Sequence, residues 1–126
     1  MSFIITTDTK KGAVNKDIIV YKVGGMTPEG DFKPVWKLGF RYKPNELTEQ
    51  VKLSETMLNK KTGYMGIKEG YHAYLKLSDI PKQYYVDIAH ERGIKKPVIK
   101  KFLIPKGTFM YTDGMHIVAE QIKFIP

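Results

Sequence analysis

Short runs of β-branched and aromatic residues, separated by clusters of turn-forming residues, recur along most of this chain. Residues 2–7 and 18–23 are two such runs, and this composition favours strands. The segment 24–31 is rich in glycine and contains a proline, which predicts a turn. Residues 35–42 then alternate between apolar and other residues, so we predict a hairpin between 18–23 and 35–42. The apolar face of the second strand would be formed by Trp36, Leu38, Phe40 and Tyr42.

Residues 79–92 form the one segment with convincing helical periodicity. Apolar residues recur at helical spacing, Pro81 suits a first turn, and Gly93 suits the C-terminal stop. Ser78 or Asp79 could cap the N-terminus. The predicted apolar stripe consists of Ile80, Tyr84, Ile88, Tyr85 and Ala89.

The remaining patterns also favour strands, joined by a basic loop at residues 59–63 and by a strong hairpin signal at Asp113-Gly114. We therefore predict an α+β, β-rich fold: a predominantly antiparallel sheet of about six or more strands with one packed helix (79–92). A single domain is expected over residues 1–126, with residues 1–16 forming a strand and a partly mobile turn. The other predicted extended segments are residues 49–53, 71–76, 97–105, 108–111 and 115–125.

Composition restricts both the compartment and the partners. The chain has no cysteine, which excludes disulfides, thiolate metal sites and a cysteine nucleophile. Its N-terminus lacks a signal-peptide pattern, and no apolar run approaches the roughly 18 residues that span a bilayer. We therefore expect a soluble, cytoplasmic protein with no membrane partner. The 21 Lys and Arg against 13 Asp and Glu give a net charge of +8, which favours anionic partners such as nucleotides or, nonspecifically, nucleic acid.

A histidine and a tyrosine in residues 71–76 are candidates for ligand contacts. On a strand, His72 and Tyr74 share one face, where they could hydrogen-bond or stack a nucleobase; a half-buried strand with polar tips at its rim is the alternative. Arg41 and the lysines, among them Lys100, could supply positive charge for an anion, although charge runs are more often solvated surface.

Glu120 is the candidate catalytic residue. Strict alternation in the last strand places it on the same face as Val118, Ile122 and Phe124, where an unpaired carboxylate would be costly. The alternatives are a bulge near residues 119–121 that turns it out to solvent and neutralisation by a lysine.

Other catalytic signals are weak. The three histidines show no metal-ligand spacing, so we expect no metal site. The chain also lacks a dinucleotide-binding glycine motif, a phosphate-binding loop and a nucleophile elbow. We therefore expect no cofactor.

Several short motifs together resemble small uncharacterised proteins of bacteriophages and bacterial mobile elements. The resemblance covers about residues 17–125 and implies a phage-type accessory protein without an established activity. Its motifs are Tyr21-Lys22-Val23, Gly39-Phe40-Arg41-Tyr42, Gly70-Tyr71-His72-Ala73-Tyr74, Ile104-Pro105-Lys106-Gly107 and the terminal Ala119 to Ile125.

The same order of motifs is weakly similar to ADP-ribosyltransferase-like domains. That resemblance implies that Tyr21, Tyr74 and Glu120 surround NAD. The chain departs from the family pattern because no Ser-Thr-Ser follows the first strand and Gln121 leaves no second glutamate.

Three functional hypotheses follow. The leading one is a non-enzymatic protein that binds an anionic ligand, such as a nucleotide or signalling nucleotide. The alternatives are an ADP-ribosyltransferase-like enzyme and a protein-binding or homo-oligomeric module that uses Tyr and Met side chains of residues 57–75. The ligand-binding residues predicted here are Tyr21, Arg41, His72, Tyr74 and Lys100.

Overall fold

The computed structural model describes residues 2–126, so Met1, the first residue of the predicted segment 1–16, lies outside the described residues. The α+β, β-rich fold with one helix and antiparallel sheets is confirmed. In chain order the elements are β1 (Phe3–Ile4), β2 (Lys10–Ala13), β3 (Ile18–Met26), β4 (Phe32–Pro34), β5 (Thr56–Asn59), β6 (Tyr64–Ile67), β7 (Tyr71–Tyr74), a 3₁₀ turn (Leu77–Asp79), α1 (Lys82–Glu91), β8 (Val98–Ile104), β9 (Phe109–Thr112), β10 (His116–Ala119) and β11 (Lys123–Ile125).

The strands form two antiparallel sheets. The larger sheet has the order β11-β8-β3-β7-β10-β9-β2, with β4 paired to β3, and the smaller sheet has the order β1-β6-β5. Val14, next to β2, and Phe124, in β11, belong to the same buried cluster although they come from opposite ends of the strand order. The larger sheet therefore curves around its core.

Strand β3 pairs with three strands of the larger sheet, β8, β7 and β4, and this pairing determines where the candidate site forms. One edge of β3 pairs with β8 from Ile18 to Gly24. Its other edge is shared, because β7 pairs with it only at Tyr21 and β4 pairs with it only from Gly24 onward. Lys22 and Val23 therefore have no strand partner on that edge, and β3 and β7 separate there.

The core on the concave face is dominated by aromatic side chains. Phe32, Phe102 and Phe124 are fully buried, and the Phe32 and Phe102 ring centroids lie 5.0 Å apart in an edge-to-face arrangement. Burying one such side chain stabilises a fold by about 1.5–3 kcal/mol. The buried members of this cluster are Val14, Val20, Phe32, Tyr42, Tyr71, Ala73, Phe102, Ile104, Ile117, Ala119, Ile122 and Phe124.

The helix is shorter than the predicted segment 79–92. Asp79 belongs to the preceding 3₁₀ turn, and Pro81 is the N-cap residue without a side-chain capping hydrogen bond. Gly93 ends the helix with a positive φ of 85°, and the following amide, of Ile94, donates a hydrogen bond to the Ala89 carbonyl oxygen at 2.8 Å. This geometry is the Schellman arrangement that favours glycine.

The buried face of α1 also differs from the predicted stripe. Tyr85 and Ala89 are its buried residues, whereas Tyr84 is 51% exposed. Tyr85 packs with Tyr74 and Ile80 against the convex face of the larger sheet. The helix therefore covers the sheet beside the point where β3 and β7 separate.

The predicted hairpin between residues 18–23 and 35–42 is wrong in its second strand. The partner of β3 is β4, which pairs Gly24 with Pro34 and Met26 with Phe32. Pro34 has no N–H to continue a ladder, and the chain then turns, with the Phe40 amide bonded to the Lys37 carbonyl oxygen at 2.9 Å. The segment after β4 is therefore free to cover the gap beside β3.

Three further observations concern the predicted strands and loops. The predicted strand 115–125 is divided into β10 and β11, because the chain bends after Ala119. The predicted basic loop at residues 59–63 is the turn of a hairpin between β5 and β6. Residues 1–16 were predicted to contain one strand and a partly mobile turn, and within them the structure forms a second strand, β2 (Lys10–Ala13).

Candidate functional site

A cleft opens where β3 and β7 separate. The paired residues Tyr21 and Tyr74 bound it at one end, and Pro34, the last residue of β4, bounds it at the other. Its volume is about 250 Å³, slightly below the roughly 300–1,000 Å³ of typical small-molecule sites. The cleft is therefore large enough for a small ligand or one part of a larger ligand.

Aromatic side chains form most of the walls. The ring centroids of Trp36 and Tyr85 lie 6.5 Å apart and those of Phe40 and Tyr42 lie 4.7 Å apart. Both pairs have edge-to-face geometry. Such walls bury planar apolar surface and can hold a ring by stacking or edge-to-face contact. The aromatic residues that line the cleft are Tyr21, Trp36, Phe40, Tyr42, Tyr71, Tyr74 and Tyr85.

Lys22 contributes a partly buried amine to the cleft. Side-chain alternation along β3 puts Lys22 on the same face as Val20, toward the core. Its Nζ donates a hydrogen bond to the His72 carbonyl oxygen and lies 5.7 Å from the centre of the Tyr42 ring. Burial, together with the charge of Lys37, lowers the pKa of Lys22 to about 8. Burial disfavours the charged form of an amine, which explains the direction of the shift.

The other charged residues of the cleft lie at its rim. Lys37, Glu49 and Glu69 line the opening and are exposed. Within residues 2–126, no carboxylate forms an ion pair with Lys22. Solvent screens charges at the rim much more strongly than a charge inside the cleft, so Lys22 dominates the internal electrostatics.

His72 is neutral at pH 7 and borders a second cavity. Burial and the charge of Lys22 lower the pKa of His72 to about 4. Its Nε2 lies 3.4 Å from the Ile67 carbonyl oxygen, to which it donates in the tautomer that is protonated at Nε2. The second cavity has a volume of about 310 Å³, and its lining is Ser2, Phe3, Ile4, Thr6, His72, Asp113, His116 and Ile117.

Tyr74 joins the cleft to the helix. Its hydroxyl lies 3.2 Å from the Tyr85 hydroxyl, and its ring centroid lies 4.8 Å from that of His116. Burial, with the hydrogen bond to Tyr85 as a second cause, raises the pKa of Tyr74 well above its ordinary value. Tyr74 is therefore a neutral hydrogen-bonding group in the wall of the cleft.

The structure brings three of the predicted ligand-binding residues together: Tyr21, His72 and Tyr74 all line the cleft. Arg41 lies outside this lining, is exposed and donates from Nη1 to the Leu38 and Phe40 carbonyl oxygens of its own turn. Lys100 pairs in register with Lys22 on the β8 side of β3 and is also absent from the cleft lining.

Glu120 lies outside the cleft as well. Its carboxylate accepts hydrogen bonds from Gln50 Nε2 at 3.0 Å and from the Leu53 amide at 3.2 Å. Val118 and Ile122 pack in different clusters, so the predicted common face of the last strand does not exist. The bend after Ala119 turns Glu120 toward the extended segment before β5, which it anchors.

Sequence reasoning missed Lys22 and several aromatic walls of the site. The signal for Lys22 was present, because a lysine on the same strand face as Val20 interrupts the apolar strand Ile18–Met26. The contributions of Trp36, Tyr42 and Tyr85 depend on tertiary packing and had no local signal.

No group of three or more histidine, aspartate or glutamate side chains within residues 2–126 is arranged to hold a metal ion. The helix of the described chain is too short and too polar to cross a membrane. No family model, curated protein or solved structure matches the chain. The cleft is therefore the feature of this chain from which a function can be inferred.

Proposed function

We propose that this chain is a non-enzymatic, phage-type accessory protein that binds a small anionic ligand with a planar ring, such as a nucleotide or signalling nucleotide, in the cleft between β3 and β7. The observation that carries the proposal is the partly buried ammonium group of Lys22 among aromatic walls. The phage-type assignment and a cytoplasmic location are supported by the sequence patterns.

The charge of the ligand follows from the environment of Lys22. A charged group that is withdrawn from water is costly unless an opposite charge compensates it, and the hydrogen bond to the His72 carbonyl oxygen supplies only a neutral acceptor. An anionic group of a ligand, such as a phosphate, would provide the missing compensation. The positive net charge of the chain would also favour the approach of such a ligand.

The aromatic walls of the cleft favour a ligand that contains a planar ring. Aromatic side chains hold nucleobases by stacking at about 1–3 kcal/mol per base. Tyr74 and His72 place polar groups beside the aromatic surface, which suits the heteroatoms of a base. Trp36, 37% exposed at the opening, would cover the outer face of a bound ring.

The ADP-ribosyltransferase-like alternative receives less support from this arrangement. It needs Tyr21, Tyr74 and Glu120 around one NAD molecule. Tyr21 and Tyr74 are direct neighbours in the sheet, but the Glu120 carboxylate is engaged with Gln50 and Leu53 outside the cleft. We therefore favour binding over group transfer.

Calorimetric titration with AMP and adenosine tests the proposal, because the two ligands share a base and differ in the phosphate. We expect AMP to bind at least tenfold more tightly, and Lys22→Met to reduce that preference by about 1.4 kcal/mol, or tenfold. Lys101→Met, an exposed lysine substitution on β8, is the matched control. A thermal-shift screen would extend the test to NAD, ADP-ribose, cyclic nucleotides and oligonucleotides at two salt concentrations.

Three outcomes would contradict the proposal. They are no binding of any nucleotide, equal binding of AMP and adenosine, and an equal loss in Lys101→Met. If Lys22→Met does not fold, Trp36→Ala at the rim provides the second variant, which should weaken both ligands in parallel. Binding of oligonucleotides alone, with strong salt dependence, would indicate nonspecific electrostatic attraction.

An interaction module remains a second proposal because the β5–β6 hairpin exposes apolar side chains. Met57 is 53% exposed and Tyr64 is 55% exposed, and β5 is an edge strand of the smaller sheet. A second copy of the chain could cover this surface. A monomeric mass at micromolar concentration would contradict self-association, and a dimeric mass that Met57→Lys abolishes would support it.

A further inference from the structure

The Lys22 amine combines three properties that surface lysines lack together. It lines a cleft with aromatic walls, it has no carboxylate ion-pair partner within residues 2–126, and a hydrogen bond to the His72 carbonyl oxygen holds it in position. A lysine on the open surface is strongly hydrated and flexible. Lys22 is restrained beside a space that a small molecule can enter.

The hydrogen bond to His72 is compatible with a reactive, neutral amine. A neutral amine has two N–H groups and one lone pair, so one N–H can continue to donate to the carbonyl oxygen. The lone pair then remains available for a carbon atom in the cleft. An ion pair with a carboxylate would instead keep the amine protonated.

We propose that Lys22 is a nucleophilic lysine that condenses with small aldehydes or ketones in the cleft to form a Schiff base. The Nζ lone pair attacks the carbonyl carbon and gives a carbinolamine. Nitrogen then loses its second proton and the former carbonyl oxygen departs as water, which leaves a C=N bond. The step involves no change of oxidation state and needs no co-reactant besides the carbonyl compound.

The electrostatic surroundings favour this chemistry. Among the charged groups around Lys22, Lys37 at the rim is the one whose charge lowers the Lys22 pKa. Lys100 is the register partner of Lys22 on β8, and Glu49 and Glu69 are exposed carboxylates in the lining of the cleft. Tyr42, Tyr71 and His72 complete the surroundings. With its pKa lowered to about 8, about one tenth of Lys22 is neutral at pH 7, against about one in 3,000 for an ordinary lysine.

The Schiff-base proposal does not depend on the proposed nucleotide binding. An amine that attacks a carbonyl carbon needs no negative charge on the ligand, and the aromatic walls would hold a neutral aromatic aldehyde as well. The two proposals share the cleft but use different protonation states of Lys22.

Reductive trapping of the intact protein tests the proposal. The protein is incubated with benzaldehyde and cyanoborohydride, and the benzylated lysines are identified and timed by peptide mass spectrometry. We expect Lys22 to be modified at least tenfold faster than Lys101 at pH 7. The ratio of the two rates should fall as the pH rises from 7 to 9.5, because an ordinary lysine becomes neutral only at higher pH, and the ratio cancels the pH dependence of the reduction step. Lys101→Arg should leave the modification of Lys22 unchanged, and Lys22→Arg should leave only the slow background.

The site-resolved rates in the unaltered chain make the result independent of whether Lys22→Arg folds. Modification of Lys22 at or below the rate of Lys101 overturns the proposal, as does a ratio of the two rates that rises between pH 7 and pH 9.5. Fast modification of Lys22 without any nucleotide binding supports this inference and contradicts the proposed function. Nucleotide binding with slow modification of Lys22 supports the proposed function and contradicts this inference.

Discussion

The Nζ of Lys22 donates a hydrogen bond to the backbone carbonyl oxygen of His72 across the gap between β3 and β7. In a continuous sheet, a backbone N–H would fill this role. The side chain therefore satisfies a polar group that strand separation leaves without a strand partner. The same contact places an amine inside the cleft, so one residue serves the sheet and the candidate site together.

Lys22 should make stability increase with pH in the mildly alkaline range. Its pKa is about 8 in the fold, below the ordinary lysine value of 10.5, so the unfolded chain binds more protons between these values and stability rises with pH. The free energy of unfolding should rise by about 2 kcal/mol more in the unaltered chain than in Lys22→Met between pH 7.5 and 9.5. Urea denaturation at both pH values measures this difference. The free energy of unfolding of Lys101→Met should change with pH as it does in the unaltered chain. The same pH dependence in Lys22→Met would show that Lys22 is not its cause.

His72 should make the fold sensitive to mild acid. Its pKa is lowered from 6.5 to about 4, so the unfolded chain binds more protons between these values and stability falls as the pH decreases. The loss from His72 should be about 2 kcal/mol between pH 7 and pH 5. His72→Gln should remove most of it in urea denaturation, whereas His90→Gln, an exposed substitution on α1, should not. If His72→Gln loses as much stability between pH 7 and pH 5 as the unaltered chain does, His72 is not the cause of the loss.

Glu120 should contribute to stability rather than to ligand binding. Glu120→Ala removes the acceptor for the Leu53 amide and for Gln50 and should lower the free energy of unfolding by about 1–2 kcal/mol. Glu120→Gln retains one acceptor oxygen and should restore part of that loss. Titration of AMP should give the same affinity for all three proteins. A loss of AMP binding without a loss of stability would show instead that Glu120 contributes to ligand binding.

Gly24 should be intolerant of any side chain. A Cβ at this position would overlap the Lys33 carbonyl oxygen and approach Phe32 Cζ to 2.6 Å, whereas a Cβ at Gly39 would meet nothing within 4 Å. Gly24→Ala should therefore lower the free energy of unfolding by about 1–3 kcal/mol through overpacking. Gly39→Ala should change it by less than about 0.5 kcal/mol. Thermal denaturation compares the two, and equal effects would show that the contact between β3 and β4 can relax.

Local composition was sufficient to predict much of the secondary structure. The dense apolar pattern of residues 97–105 corresponds to β8 (Val98–Ile104), and the Asp113-Gly114 turn joins β9 to β10. These elements follow from side-chain shape and turn preference, which act within a few residues. The alternation of residues 35–42 was misleading because Pro34 ends the ladder and the aromatic side chains are used to cover the gap beside β3.

Composition and local residue patterns established that this chain is β-rich, basic and free of cysteine, and they indicated that His72 and Tyr74 share a strand face. Long-range packing brought Tyr21 beside Tyr74 and Lys22 into the cleft. It also left Arg41, Lys100 and Glu120 outside the cleft lining. Strand composition is a local property, whereas the pairing of β3 with β4, β7 and β8 depends on contacts between residues far apart in the chain. The cleft exists because β7 and β4 pair with different parts of the same edge of β3 and leave a gap between them. No local feature of the sequence indicates this arrangement.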